Sequence, residues 1–225
     1  SFEIMEPGML TTIQDLGRFG YQRFGVPVSG AMDTFAHQVS NILVGNRPGD
    51  ASLEITALGP QVRFLRDAQI ALTGADLAPS IDGQPVTMWQ RVTVLSENVL
   101  KFQYPRDGCR SYMALNGGIN VPRVMGSRST YLPGKIGGLE GRALEVGDIV
   151  KTDSDKVNRE TTCETVGVLN DPPNYGSSFE VRVLLGPQND AFTDVAVDTL
   201  LESEYLVSID VDRVGCRLEG PKMPH

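Results

Sequence analysis

The chain has 225 residues, 40% of them hydrophobic, which is enough to bury the core of one large domain or two small ones. Its formal net charge of -8 argues against nucleic acid as the main partner, because a phosphate backbone is bound by clustered cations. Three widely separated cysteines and two histidines disfavour a zinc site, a redox pair and a Ser-His-Asp triad, so we expect a site without metal.

The chain begins with SFEIMEPGML, which lacks the basic flank and the apolar core of a signal peptide. No apolar run in the sequence is long enough to span a bilayer. We therefore expect a cytoplasmic protein that does not bind membranes.

A loop over residues 11–33 precedes the first predicted helix and is dense in polar side chains. Gln14, Asp15, Arg18 and Tyr21 lie among four glycines, and glycine allows a backbone to approach a ligand closely. These residues are therefore candidates for ligand contact. The alternative is a surface loop in which Asp and Arg side chains pair with one another.

The next segment, residues 33–45, is predicted to be helical. Asp33 is the expected N-cap, and Gly45 is the expected C-terminal stop. His37 falls on the polar side of this helix, so we expect it to be solvated. Apolar residues recur at helical spacing and predict one buried face, formed by Phe35, Ala36, Val39, Ile42 and Leu43.

Further along the chain, short segments rich in Val, Ile, Leu and Phe recur at intervals of roughly ten residues, bounded by Gly, Pro and Asp. This pattern predicts a mainly β fold, and the Asp-Gly of DGQP at 82–85 predicts a tight hairpin. The candidate strands are VRFLR, QIALT, RVTVL, VLKFQ, SYMAL, VRVLL and LVSIDV.

The segment GSRSTYLPGKIGGLEGR, residues 126–142, invites comparison with phosphate-binding motifs. The Walker pattern fails, because Ser129 stands where its first glycine is required and Ile136 follows Lys135 in place of Ser or Thr. The dinucleotide fingerprint also fails, because the glycine spacing differs and no long helix follows. Neither nucleotide motif is present.

The same segment nevertheless has the chemistry of a carboxylate or phosphate site. Hydroxyls, cations and consecutive backbone N–H groups are all available to an anion. The alternative is a turn-rich connector in which glycines only relieve strain. The candidate ligand-binding residues are Ser127, Arg128, Ser129, Thr130, Lys135, Gly137, Gly138 and Arg142, joined by Asn116, Gly117 and Gly118 from an upstream turn.

Composition divides the chain into an N-terminal β domain over 1–155, a polar connector over 156–178 and the start of a second β domain over 179–225. A helix is predicted after Asn189 or Asp190, which could cap it, with an apolar stripe from Phe192 to Leu200. Few elements are left to cover the core of the second domain. We expect the remaining strands to come from a partner chain or from a C-terminal segment that this chain lacks.

Seven blocks lie in order along nearly the whole chain: TTIQDLGRFGYQRFGVPVSGAMD, LVGN, LEIT, LTGAD, GSRSTYLPGKIGGLEGRALEVGD, VLLGPQNDAF and DRVGCRLEGP. Together they resemble the allophanate hydrolase subunit 2 family. That family includes biotin-dependent carboxyltransferase-type proteins, the C-type subunit of bacterial 5-oxoprolinase and the antagonist of a sporulation-kinase inhibitor.

The resemblance implies cyclophilin-like β-barrel units and a subunit 1 partner, similar to the B-type subunit of 5-oxoprolinase, with the A-type subunit of that enzyme as a further partner. It implies an ATP-dependent complex that opens 5-oxoproline to glutamate. The first alternative is the carboxyltransferase module of urea carboxylase, and the second is a non-catalytic protein that binds a kinase-inhibitor homologue. The sequence lacks a Met-Lys-Met biotin site and an ATP-binding motif, so either cofactor would be handled by another chain or domain.

Both implied reactions develop negative charge on the oxygen of an amide or urea, which preorganised cations and N–H donors stabilise. Arg18, Ser129 and the 126–138 loop are the expected catalytic groups, with Arg142 as a further donor. Asp15 is expected either to orient Arg18 or to accept a proton from the amide nitrogen.

Overall fold

The computed structural model describes residues 1–153, 167–176, 178, 180–211 and 215–223. The chain divides into two compact units, residues 1–177 and 178–225. Strands predominate and two α-helices are present among these residues, so the predicted mainly β fold is confirmed. Neither helix has the length and apolar composition that crossing a bilayer requires.

The first unit contains a six-stranded antiparallel sheet. Its members are β1 (Phe2–Glu6), β4 (Gln61–Phe64), β6 (Ser80–Ile81), β7 (Gln84–Pro85), β9 (Val99–Lys101) and β11 (Ile149–Val150). Their order is β11-β1-β4-β9-β6-β7. The turn between β6 and β7 places Asp82 and Gly83 at φ 49° and 81°, which is the backbone that the predicted Asp-Gly hairpin requires.

The second sheet of this unit has five strands in the order β2-β3-β10-β5-β8. They are β2 (Leu10–Gln14), β3 (Ser52–Thr56), β5 (Ala68–Asp76), β8 (Arg91–Val94) and β10 (Asp107–Leu115). The two sheets bury one shared apolar core, to which Phe2 and Phe64 contribute from the first sheet and Ile55 and Leu72 from the second. Because strand side chains alternate between faces, the opposite face of the five-stranded sheet is free to carry polar groups.

Helix α1 (Thr34–Leu43) covers part of that opposite face. Its bounds follow the prediction, since the Asp33 carboxylate accepts a hydrogen bond from Ala36 N and Gly45 follows the last turn at φ 76°. The predicted buried face is right for Ala36 and Leu43, which are buried, and for Val39, which is partly buried. It is wrong for Phe35 and Ile42, which are 51% and 44% exposed.

Polar helix residues are buried in their place. His37, predicted to be solvated, is fully buried, and its Nδ1 lies 2.8 Å from Ser52 Oγ. Thr73 Oγ1 donates to the Ala36 carbonyl at 2.7 Å. The polar side of the helix faces the sheet here because Ser52 and Thr73 present hydroxyls there. Hydroxyls form hydrogen bonds with polar helix groups, and Phe or Ile side chains cannot form them.

The second unit contains helix α2 (Asp194–Glu202) and an antiparallel hairpin of β12 (Leu206–Val211) and β13 (Cys216–Glu219). The helix is capped by Thr193, not by Asn189 or Asp190, which form a short 3-10 turn instead. The predicted strand VRVLL, residues 181–185, is not paired in the described part of the chain, and Leu184 is almost fully exposed.

Part of the predicted connector packs against the first unit. Val168 bridges to Gln90, and Leu169 N donates to the Trp89 carbonyl at 2.9 Å. Tyr175 stacks on Trp89. Residues 167–176 are held there because the main chain around Trp89 offers hydrogen bonds, whereas residues 156–166 of the connector lie outside the described residues.

Candidate functional site

The carboxylate of Asp15 joins the two loops that the sequence singles out. Ser127 Oγ and Ser129 Oγ donate to its Oδ1 at 2.7 and 2.5 Å, and Arg128 N donates to its Oδ2 at 2.6 Å. Gly17 N donates to Oδ1 at 2.8 Å. A residue just after β2 therefore fixes a segment more than a hundred residues away in sequence.

These hydrogen bonds determine the ionisation of Asp15. Burial alone raises the pKa of its carboxyl, but the bonds from Ser127, Ser129, Arg128 N and Gly17 N outweigh burial and leave the pKa below its usual value. Asp15 is therefore ionised at neutral pH. A carboxylate with a low pKa and this many donors is a poor proton acceptor and a good anchor.

The segment after Ser127 lies along β2, which is an edge strand of its sheet. Thr130 N and Thr130 Oγ1 both donate to the Ile13 carbonyl at 2.9 Å. Gln14 Nε2 donates to the Thr130 carbonyl at 3.2 Å and to Thr12 Oγ1 at 2.9 Å. Gln14 and Thr130 are thus placed by the same edge that places Asp15.

Arg18 is the most deeply buried cation of the site, with 1% of its surface exposed. Its Nη2 donates to the Ser129 carbonyl, whereas Nε and Nη1 have no hydrogen-bond partner among the described residues. Burial lowers the pKa of the guanidinium, and the nearby charge of Asp15 opposes that shift. Because an arginine stays protonated in proteins, Arg18 is a buried positive charge with two nitrogens whose N–H groups are unpartnered among the described residues.

Gly137 packs directly over this guanidinium. A Cβ at this position would lie 2.6 Å from Arg18 Nη2 and would also overlap the Ser129 carbonyl, and the backbone has φ 69°. Any larger residue would push the loop away from Arg18.

A cavity of about 650 Å³ lies beside Gly137. Three of the predicted ligand-binding residues, Lys135, Gly137 and Gly138, line it, together with Pro122, Val124, Ile136, Leu139, Glu140 and Gly141. One part of the prediction is wrong. Gly138 N donates to the Arg128 carbonyl at 2.9 Å, so Gly137 and Gly138 do not present two consecutive free amides.

The upstream turn is not part of this cluster. Asn116 Nδ2 donates to the Val44 carbonyl at 2.7 Å, and Gly117 N donates to Asn46 Oδ1 at 2.8 Å. Gly118 packs against Asp50. These three candidates anchor the turn to the chain just beyond α1, which the sequence could not indicate because the contacts span about seventy residues.

Arg142 also has a structural position. Its guanidinium binds both oxygens of Asp148, at 2.7 and 2.9 Å, and this hydrogen-bonded carboxylate raises its pKa. Tyr21 is half-buried at the start of the short 3-10 helix Gln22–Phe24, and its hydroxyl makes no hydrogen bond within the described part of the chain. Among the described residues, neither side chain forms a hydrogen bond or an ion pair with the Asp15 cluster.

Sequence reasoning missed a buried polar layer under α1. Glu54 is buried and accepts hydrogen bonds from Tyr112 OH at 2.7 Å and Met32 N at 2.9 Å. Burial lowers the pKa of His37 to about 4, so it is neutral, and its Nε2 has no partner among the described residues. The available signal was a glutamate between Leu53 and Ile55, in a strand covered on both faces.

The chain is similar in sequence to proteins of known family. The chain matches the family described as carboxyltransferase domain, subdomain A and B, over residues 24–225. It is 37% identical to the C-type subunit of Escherichia coli 5-oxoprolinase, over 97% of this chain and 68% of that protein.

Two larger proteins are similarly close. The chain is 34% identical to urea amidolyase of Saccharomyces cerevisiae over 99% of its own length, and it spans 12% of that protein. The crystal structure of Kluyveromyces lactis urea carboxylase superposes with a TM-score of 0.84 and 30% identity, over 99% of this chain and 21% of that one. The chain therefore belongs to the carboxyltransferase domain family, subdomains A and B, in agreement with the resemblance found in its sequence.

Proposed function

We propose that the protein is a subunit of an ATP-dependent complex that hydrolyses a small cyclic amide, with 5-oxoproline as substrate and glutamate as product. It would work in the cytoplasm with a subunit 1 homologue and with the A-type subunit of such a complex. The similarity to the C-type subunit of 5-oxoprolinase, which extends over 97% of this chain, supports this choice.

One observation carries the proposal at the level of residues. Arg18 is buried with two unpartnered nitrogens, Nε and Nη1, and its Nη2 lies against Gly137, which lines the 650 Å³ cavity. In a site of low polarity, such donors stabilise the negative charge that develops on an amide oxygen when its carbon is attacked. Arg18 is therefore the proposed catalytic residue.

Other residues of the cluster position Arg18 and hold the substrate. Asp15 fixes Ser127 and Ser129, and the Ser129 carbonyl in turn holds Arg18, so Asp15 and Ser129 are positioning residues. Lys135 lines the cavity and would attract the carboxylate of 5-oxoproline. Gln14 Oε1 is buried without a partner among the described residues, which makes it the proposed acceptor for an amide N–H.

Residues 126–142 offer no phosphate-binding loop, and the sequence has no site for covalent attachment of biotin. The backbone N–H groups of Lys135, Ile136, Gly138 and Gly141 all donate within their own loop, so they cannot form a phosphate-binding nest. The sequence also lacks the Met-Lys-Met site for biotin. We therefore propose that another member of the complex binds ATP. If the protein is instead a carboxyltransferase module, another protein or domain would carry biotin.

A second candidate is a carboxyltransferase module that acts on urea. The superposition on urea carboxylase over 99% of this chain favours it. The same Arg18 donors would hold the urea oxygen. The remaining alternative, a regulatory protein that binds a kinase-inhibitor homologue, predicts partner binding without turnover of any amide.

The test is a reconstituted assay. The chain is combined with ATP, a subunit 1 homologue and the A-type subunit of the complex, and glutamate formed from 5-oxoproline is measured; a parallel reaction supplies a carboxybiotin carrier and urea. We expect glutamate formation that falls at least a hundredfold for Arg18→Lys, because a lysine cannot reproduce the fork of N–H donors. Arg142→Lys is the matched control and should retain the rate. Carboxylation of urea without glutamate formation would favour the second candidate, and no turnover in either reaction would contradict both.

A further inference from the structure

A second cavity, of about 300 Å³, lies in the first unit and shares no lining residue with the cavity beside Gly137. Its walls combine aromatic rings, prolines and charged side chains. Its lining residues include Asp76, Trp89, Arg106, Asp107 and Tyr175.

An irregularity in the sheet opens this cavity. Asp107 pairs with Asp76 and Ser111 with Gly74, so residues 108–110 of β10 stand opposite one residue of β5. Gly74 has φ 81°, and a side chain there would overlap the Arg110 carbonyl. Bulges of this kind bend a strand and redirect the side chains beside them, which here separates the strand ends.

Aromatic rings form one wall. Trp89 stacks on Tyr175 with ring centroids 6.5 Å apart and an interplanar angle of 24°, and Phe35 packs on Trp89 at 6.3 Å. The Tyr175 hydroxyl donates to Asp33 Oδ2 at 2.5 Å, which fixes the orientation of its ring. The wall therefore presents π-electron surface in an orientation that the Tyr175–Asp33 hydrogen bond fixes.

The charges at the cavity do not balance. Arg106 Nη1 lies 3.7 Å from Asp76 Oδ2, so this cation already has an acidic neighbour. Asp107 forms no ion pair within the part of the chain that the structure describes. Two carboxylates and one guanidinium leave one negative charge beside the aromatic wall, and a cationic ligand would complement it.

We propose that this cavity binds a guanidinium cation, carried either by a free small molecule or by an arginine side chain of a partner chain. A guanidinium is flat and weakly hydrated, stacks on aromatic rings and binds a carboxylate through two N–H groups. Asp107 and the pair formed by Trp89 and Tyr175 provide both kinds of contact. An alkylammonium group fits less well, because it is strongly hydrated and cannot stack.

Tryptophan fluorescence reads this site directly, because Trp89 is the only tryptophan in the sequence. The probe is N-acetyl-arginine amide, titrated into the protein. We expect a saturable change in emission with a dissociation constant in roughly the millimolar range, as is usual for a fragment of this size. N-acetyl-lysine amide should bind at least several-fold more weakly, and neutral N-acetyl-glutamine amide should not bind. A peptide of the form Gly-Gly-Arg-Gly-Gly distinguishes the two sources: tighter binding than the amide indicates a partner chain, and equal binding indicates a small molecule.

Two substitutions give changes of opposite sign. Asp107→Asn should weaken binding about tenfold or more, because it removes the charged acceptor. Arg106→Gln should tighten binding, because it removes a competing cation from Asp76. Asp198→Asn, an exposed change of equal charge on α2, is the control and should leave binding unchanged. Thermal unfolding of each variant checks that the protein remains folded.

The proposal is overturned if Arg106→Gln weakens binding and Asp107→Asn strengthens it, because that pattern would indicate a ligand of negative charge. It is also overturned if the lysine and glutamine amides change the emission as the arginine amide does. If Asp107→Asn fails to fold, the sign of the Arg106→Gln effect still decides.

Discussion

The loop of residues 126–142 is fixed at its two ends by opposite means. At its start, the buried carboxylate of Asp15 is held by serine hydroxyls and backbone amides, with no cation within ion-pairing distance among the described residues. At its end, the Arg142 guanidinium, 30% exposed, pairs with Asp148. The buried carboxylate of Asp15 is stabilised by neutral hydrogen-bond donors, whereas the partly exposed Arg142 is held by an ion pair.

The largest effect is expected at the buried end. Asp15→Ala leaves two hydroxyls and two backbone N–H groups without their acceptor, so the free energy of unfolding should fall by about 3 kcal/mol or more. Urea denaturation of the whole protein, monitored by circular dichroism, measures the change. A loss below about 1 kcal/mol would contradict the view of Asp15 as the anchor of the loop.

Gly137→Ala should have the next largest effect. The new methyl group overlaps Arg18 and the Ser129 carbonyl, and the alanine must keep the positive φ of the glycine. We therefore expect the free energy of unfolding to fall by about 2 kcal/mol and turnover in the reconstituted complex to be lost. Gly147→Ala is the matched control: its φ is also positive, at 88°, but no atom lies within 4 Å of the new methyl group. It should lose only the backbone term, about 1 kcal/mol, and keep turnover. Equal losses for the two variants would remove the argument for close packing over Arg18.

Lowering the pH should reduce the stability that Asp15 contributes to the start of the 126–142 loop. The folded-state pKa of Asp15 is below its ordinary value, so its contribution to stability is complete above about pH 4 and is lost as pH falls through the lower, folded-state value. Between pH 5 and pH 2, wild-type protein should therefore lose more stability than Asp15→Asn. Parallel pH profiles for the two proteins would show that Asp15 is not the group that titrates.

The smallest effect is expected at the exposed end. Arg142→Gln breaks the pair with Asp148, and a half-exposed ion pair contributes about 0.5 to 1 kcal/mol. The difference from wild type should shrink in 0.5 M salt, since screening weakens this pair. The loss caused by Asp15→Ala should not change with salt. A salt-independent loss for Arg142→Gln would remove the contrast between the two ends.

Local patterns in the sequence predicted much of the fold. Turn residues such as Asp82 and Gly83, and apolar runs such as the one in β5, depend on contacts near in sequence, and these predictions are confirmed. On α1 the prediction was wrong for His37, which is buried, because a strand hydroxyl that helical periodicity does not reveal binds it. Residues 181–185 are apolar enough for a strand, but a strand also needs a neighbour, which composition does not specify.

The candidate site divides in the same way. Asp15, Ser127 and Ser129 were candidates on two separate glycine-rich loops, and the fold brings their side chains into contact, although their role in binding stays a prediction. Asn116 and Arg142 look equally suitable in sequence. They differ because Val44 and Asp148 occupy their polar atoms, and only the folded chain shows which polar atoms remain available.

The lateral position of β2 has a consequence for solubility. An uncovered border strand offers its unpaired amides and carbonyls to any extended polypeptide, which is how intermolecular sheets begin. Here Ser129 and Thr130 occupy that border, so the segment proposed to position Arg18 also shields the five-stranded sheet from self-association. Variants that release it should therefore precipitate on storage before they unfold, and light scattering would detect this earlier than spectroscopy.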